Sequence, residues 1–338
     1  MTVKITIIGL GKIGTSIGLA LAKHTNQLYR IGHDLHPENA RRAQKSGAID
    51  KVTYNLPASV EDADIVVLAL PVDQIRETMQ IITPDLKEGV VVMDTAPAKQ
   101  AVSAWAQEFL KPGRYYVGLA PAICSQYLFD TQLGGEGARE DLFQKGVMGI
   151  VAPRGTASAA IKLATDLVTL LGAKPLFMDM AEVDSLMSAV HLLPQLLAIS
   201  LANVTINQPG WLEGRKIAGA LFAQSTHPLA AGDTPEALTQ AVQLNQEYVT
   251  RLLNMLIEQF VFWRDMAQTA EKTGSPAPEN GETPGNPLLQ KLKTARTARS
   301  EWLEERALGE WQEKMPQPEM PTAAAEMRRW FFGRRRND

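Results

Sequence analysis

Gly9-Leu10-Gly11-Lys12-Ile13-Gly14 carries the pattern G-x-G-x-x-G. Before it, Val3 to Ile8 alternates β-branched and polar residues and reads as a strand. After it, Thr15 to Lys23 sets Ala, Leu and Ile at helical spacing. A glycine turn between strand and helix lets main-chain amides approach a pyrophosphate, and the helix start adds free N–H groups and a positive dipole end. A second strand, Tyr29 to His33, ends at Asp34, 20 residues past Gly14. A carboxylate there accepts hydrogen bonds from an adenosine ribose and repels a 2′-phosphate. The pattern predicts binding of NAD in preference to NADP, although Arg41 and Arg42 lie close enough to soften that preference.

A bound dinucleotide needs a scaffold, and strand and helix signals alternate as far as residue 178. A charged helix from Pro37 to Ser46 follows Asp34. Ala63 to Leu70 is a largely apolar run ending at Pro71, as expected of a strand buried on both faces. Helix Asp73 to Ile82, strand Gly89 to Asp94, helix Ala98 to Leu110 and strand Tyr115 to Ala120 come next. Strand Gly149 to Ala152, helix Thr156 to Leu171 and strand Lys174 to Met178 complete the series. This order predicts an α/β fold, a Rossmann-type doubly wound parallel sheet with ligands at the carboxyl ends of its strands. Leu70, Pro71, Asp94 and Thr95 fall at such ends and join the glycine loop and Asp34 as expected cofactor contacts; Asp94 reads as a turn former more than a catalyst.

From residue 179 to 267 the chain reads as an all-helical second domain. It holds a long stretch from Asp184 to Asn207, a shorter helix from Leu212 to Ala223 and another long one from Ala237 to Met266. Residues 268–287 are rich in Gly, Pro, Ser, Glu and Asn and read as a linker. Residues 288–338 form an extension with an amphipathic helix from Leu288 to Trp311. A last segment, Met327 to Asn337, sets Trp330, Phe331 and Phe332 among arginines; a solvated tail or a contact with an acidic surface are its two readings.

Composition agrees with a soluble, cytoplasmic enzyme. Of 338 residues, 45% are hydrophobic and 21% charged, and a net charge of −3 gives no reason to expect nucleic acid or an anionic membrane as partner. The single cysteine, Cys124, excludes an internal disulfide and a thiolate cluster for zinc, so no metal is expected. Met1 runs into the first strand without a signal peptide. The most apolar stretch, Leu192 to Ala202, is interrupted by Pro194, Gln195 and Ser200 and reads as too short to cross a bilayer.

Several elements together resemble the prephenate and arogenate dehydrogenases. They are Gly9 to Gly14, Gly32-His33-Asp34 with Pro37, Gly47-Ala48-Ile49-Asp50, Ala63 to Pro71, and Asp94 with Lys99. In the second domain His191-Leu192-Leu193-Pro194-Gln195 resembles the family's Ser-His-Leu-Pro-His helix, and Gly214-Arg215-Lys216-Ile217-Ala218 its Thr-Arg-Ile-Ala element. The resemblance spans roughly residues 3 to 265. It implies oxidative decarboxylation of a cyclohexadienol carboxylate, a small carboxylic acid substrate and a homodimer.

The resemblance also exposes departures. The family's Gly-x-His-Pro reads Gly118-Leu119-Ala120-Pro121 here, with alanine in place of the catalytic histidine. Its Asp-x-Gly-Ser-x-Lys reads Asp94 to Lys99 with Pro97 in place of serine, and Leu192 and Gln195 stand where two further histidines would. His191, one position before the first of these, is the best replacement base; a core histidine satisfied by a backbone carbonyl is the alternative. Arg215 and Lys216 compete to hold the substrate carboxylate, against a solvated basic pair. Lys99 either supports the Asp94 turn or lies on a surface helix. His227 sits in a polar stretch from Gln224 to Thr234 that could form a lid. A dehydrogenase for another small acid, or a dinucleotide-binding protein without catalysis, are the other readings of these departures.

Overall fold

The computed structural model describes residues 2–270 and 287–309. Elements run in the order β1 (Val3–Ile8), α1 (Lys12–Ala20), β2 (Leu28–His33), α2 (Pro37–Lys45), β3 (Lys51–Val52), β4 (Ile65–Leu68), α3 (Val72–Ile82), β5 (Val91–Asp94), α4 (Lys99–Phe109), β6 (Tyr115–Pro121), β7 (Val147–Val151), α5 (Ser158–Leu170) and β8 (Lys174–Phe177). They build one sheet of order β3-β2-β1-β4-β5-β6-β7-β8. The glycine loop stands at the carboxyl end of central β1, where the chain switches from one side of the sheet to the other.

The expectation of a parallel sheet needs one refinement. β1 to β6 are parallel, but β7 runs antiparallel to β6, with Gly118 opposite Val151. β8 then runs parallel to β7. A parallel neighbour needs a crossover, usually helical, and β6 and β7 are joined by a loop holding only two short 3-10 turns. α5 supplies that crossover between β7 and β8.

The alternating faces of the strands feed two cores. Ile5, Ile7, Val67, Met93 and Val117 pack with Ile17, Phe143 and Leu167 on one side. Val66, Leu68 and Val92 pack with Ile75, Met79 and Val102 on the other, and there Leu192, Leu238, Ala241 and Val249 join from the second region. The helical region is thus seated on the α3–α4 face, which sets the wall of the cleft.

That region consists of α6 (Met180–Met187), a π-helical turn (Ser188–Leu192), α7 (Leu193–Ile206), α8 (Trp211–Ile217), α9 (Ala220–Thr226), α10 (Pro228–Ala231), α11 (Pro235–Leu244) and α12 (Gln246–Ala270). Helices expected as single pieces are divided. The π turn widens the backbone just before Pro194, whose ring and missing N–H oppose regular helical bonding to the preceding turn. Gly219, extended at φ −104°, separates α8 from α9. Asn245, at φ −107° and ψ 25°, separates α11 from α12.

The expectation that no stretch is long enough to cross a bilayer is corrected in its premise. Met180–Ile206 forms a helical run of 27 residues, long and apolar enough by length and composition, yet it buries Asp184, Ser188 and Gln195. α12 continues through Ala270, beyond the expected start of the linker at residue 268. α13 (Pro287–Leu308) realises the helix expected in the extension but not its amphipathic character, because its apolar residues are spread around the helix and none is buried. The rest of the linker, Trp311, Trp330 and the terminal arginines lie outside the described residues.

Candidate active site

The three glycines of the loop have different work. Gly9 adopts φ +91°, which L side chains rarely take, and a Cβ there would strike the Ala69 carbonyl. A Cβ on Gly14 would collide with the Gly9 carbonyl, so α1 can pack against the turn only with glycine there. Gly11, which precedes the first residue of α1, would place a Cβ in open space with nothing within 4 Å. The Gly11 side of the loop is therefore the approach left clear for a phosphate, beside unsatisfied N–H groups of the helix start.

Asp34 stands at the end of β2 and fixes this loop. Its Oδ2 accepts the Leu10 N–H at 2.7 Å, while Oδ1 accepts the His36 N–H at 2.8 Å and the Asn39 amide at 3.2 Å. A carboxylate has lone pairs beyond these, so the same oxygens suit ribose hydroxyls. Lys12 turns its ammonium toward the Gln132 carbonyl and Asp130, on the β6–β7 loop lying across the start of α1.

A cleft of about 370 Å³ opens beside the loop. Gly11, Lys12, Ile13, Leu70, Pro71 and Thr95 line it from the sheet side, and Met187, His191 and Asp233 from the helical side. The π turn carries His191 to this wall. His191 Nε2 lies 2.8 Å from Asp233 Oδ2. Gln195, one turn on, donates to the same carboxylate oxygen at 3.1 Å and accepts the Asp233 N–H at 2.7 Å. Gly232 is required for this clasp, because a Cβ would run into the Gln195 amide. Burial acts to raise the Asp233 pKa, but the hydrogen bond and charge of His191 and the Gln195 amide outweigh it and hold it below the ordinary carboxylate value. A histidine so oriented can take a proton from a hydroxyl in the cleft, with an anion behind it to stabilise the imidazolium.

Beneath the cleft floor lies a second polar cluster. Lys99 and Asp94 are both fully buried, with Nζ 2.8 Å from Oδ2. The same Oδ2 accepts the Ala96 N–H at 2.8 Å, and Oδ1 accepts the Tyr116 hydroxyl at 2.7 Å. Burial lowers the Lys99 pKa, while the Asp94 charge acts against that; burial and Asp94 together raise that of Tyr116. From the helical region, Asp184 accepts the Lys99 and Gln100 N–H groups at the start of α4, and Asn245 donates to the Pro97 carbonyl at 3.1 Å. The segment Thr95–Lys99, which forms part of the cleft, is held from both sides.

The expected site residues are therefore distributed unevenly. Gly11, Lys12, Ile13, Leu70, Pro71, Thr95 and His191 meet in one cleft, with Gly9, Leu10, Gly14 and Asp34 shaping the loop. Asp94 is corrected from a cofactor contact to a support, because it is fully buried and spends both oxygens on the protein. Lys99 is the support and not the surface residue. Arg215 and Lys216 are exposed on α8 and do not line the cleft. The segment Gln224 to Thr234 does reach the cleft, through Asp233 and not through His227. Asp233 was missed; its signal was a lone carboxylate between Gly232 and the Thr234 cap of α11.

A Rossmann sheet with an open phosphate approach at Gly11 and a carboxylate at the end of β2 defines a dinucleotide-binding protein. Residues 17–176 match the family model described as the nucleotide-binding domain of prephenate dehydrogenase. The chain is 29% identical over 203 residues to prephenate dehydrogenase of Bacillus subtilis, covering 60% of this chain and 53% of that protein. It is 27% identical over 198 residues to cyclohexadienyl dehydrogenase of Zymomonas mobilis, covering 58% and 65%. The fold is similar to that of prephenate dehydrogenase from A. aeolicus in complex with hydroxyphenyl propionate and NAD+, with a TM-score of 0.74 at 21% identity over 89% of this chain and 99% of the other. Synechocystis arogenate dehydrogenase gives 0.63 at 20%, over 88% and 99%. The match spans about half the length of the Bacillus relative. In its nucleotide-binding domain and in its fold the chain is thus similar to prephenate and arogenate dehydrogenases.

Proposed function

We propose that this protein is an NAD-dependent dehydrogenase that oxidises and decarboxylates a cyclohexadienol carboxylate, prephenate or arogenate, to a phenol. The observation that carries the reading is the His191–Asp233 pair, 2.8 Å apart on the wall facing the glycine loop. NAD, when bound, supplies the hydride acceptor. The fit rests on the open side of Gly11 and on Asp34. The N–H groups at the start of α1 would hold the pyrophosphate, and Asp34 would accept from the ribose and exclude a 2′-phosphate.

His191 takes the hydroxyl proton at substrate C4 as hydride leaves that carbon, and Asp233 holds the imidazolium formed. Loss of the ring carboxylate as carbon dioxide leaves its bonding electrons in the ring, which becomes aromatic. The apolar faces of Leu70, Pro71, Pro97 and Ile123 exclude water around the reacting carbon. Leu201, Val204, Leu212, Ile217 and Leu221 are exposed on α7 to α9, which suits a second copy of the chain; Arg215 and Lys216 ride on that face and would hold a carboxylate across the dimer. A cytoplasmic location agrees with this chemistry.

The test is incubation with NAD and prephenate or arogenate, followed at 340 nm. NADH formation is expected with one of them, and no turnover with either overturns the reading. Ala120 and Pro97 favour one second reading, a dehydrogenase for a different small carboxylic acid, which the same assay detects when run with other hydroxy acids.

A further inference from the structure

The geometry points to Arg306 as a positioning residue for the cleft, acting from a helix beyond the matched nucleotide-binding domain of residues 17–176. α13 has 22 residues, a length of about 33 Å. Near its start, Lys291 Nζ lies 4.2 Å from the centroid of the Phe262 ring on α12. Near its end, an Arg306 Nη2 donates to the Ile123 carbonyl at 2.6 Å. Just beyond, Lys174 of β8 donates to the Gly309 carbonyl at 3.1 Å. One helix thus touches the helical region at one end and the Rossmann sheet at the other.

Ile123 lines the cleft together with Pro121, Pro97 and His191. On the sheet side its neighbours are tied down: Ala122 N–H donates to Val147 at 3.0 Å and Cys124 N–H to Leu142 at 2.6 Å. The Ile123 carbonyl points the other way, to Arg306. Burial lowers the guanidinium pKa, as expected of a group packed into the structure and not waving in solvent. Arg306 fixes the wall Pro121–Cys124 from outside, and so sets how closely Ile123 presses a substrate toward His191. The catalytic side of this claim rests on the dehydrogenase reading above.

Cys124, the only cysteine in the chain and half-buried, gives a readout independent of turnover. In the full chain, Arg306→Ala should raise the rate at which an aromatic disulfide reagent labels Cys124, by about tenfold, and lower kcat by a similar factor, as expected when a wall shifts by a fraction of an ångström. NADH affinity should stay unchanged, because the glycine loop is held elsewhere, and Arg306→Lys should restore most of both effects. Three results would overturn the proposal. One is labelling at the wild-type rate; another is faster labelling with unchanged kcat. The third is a loss of NADH affinity in step with thermal stability. If the wild type oxidises no acid, the dehydrogenase reading fails by itself, and the thiol rates still decide whether Arg306 holds the wall.

Discussion

His191 and Asp233, 42 residues apart in sequence, meet at 2.8 Å, and the carboxylate is what equips the imidazole as a base. His191→Ala should lower kcat by about 10²–10⁴-fold, the usual worth of a general base, with NADH affinity preserved. Asp233→Asn keeps a polar partner but no charge and should fall between wild type and His191→Ala. Steady-state rates at 340 nm check both.

The same pair predicts a pH dependence of stability. The folded Asp233 pKa lies below its ordinary value, so the unfolded chain binds more protons in the window between the two. The stabilisation is fully present above about pH 4, the ordinary carboxylate range, and is lost as pH falls through the folded value. Wild type should exceed Asp233→Asn by about 1–2 kcal/mol at pH 7, and the gap should close near the bottom of that window. Thermal denaturation of both proteins across pH 3 to 7 measures it.

The glycine loop separates folding from binding. Gly14→Ala forces a methyl onto the Gly9 carbonyl and should destabilise by about 3 kcal/mol or more. Gly11→Ala meets no protein atom and should keep the wild-type Tm while weakening NADH by at least about tenfold, or 1.4 kcal/mol. Fluorescence titration beside a melting curve distinguishes the two.

Asp34 should set the choice of nucleotide. Asp34→Asn removes the charge that opposes a 2′-phosphate, and the preference for NADH over NADPH should fall by about tenfold, a change of 1.4 kcal/mol. Affinity for NADH should weaken too, since the carboxylate also secures the Leu10 N–H.

Lys99→Met would leave Asp94 as a buried carboxylate without its cation. The expected loss is about 3–5 kcal/mol, read from urea denaturation. Adding Asp94→Asn should recover part of it, because the uncompensated charge is gone.

The sheet was legible because buried parallel strands write themselves as short apolar runs closed by Pro71, Asp94 and Pro121. The reversal of β7 was not, since direction depends on what a connection lacks, here a crossover helix between residues 122 and 146. The breaks at Gly219 and Asn245 were not legible either, because the apolar stripes on both sides of each read as continuous. His191 was found through the resemblance, from its place one position before the family's first helix histidine. Asp233 was not, because its partner lies 42 residues away and its local mark, a lone carboxylate between Gly232 and the Thr234 cap, is also that of a turn residue. For Lys99 both support of the Asp94 turn and a surface position stood open, and the buried ion pair with Asp94 decides for the first.

Asp184 and Asn245 pin the cleft segment at Pro97, Lys99 and Gln100, which makes a clamshell motion costly. The nucleotide half and the helical half share a stitched seam at the end of β5, and swinging apart would mean tearing those bonds together. Breathing is left to the far rim, around Gly232, where Gln195 is the latch.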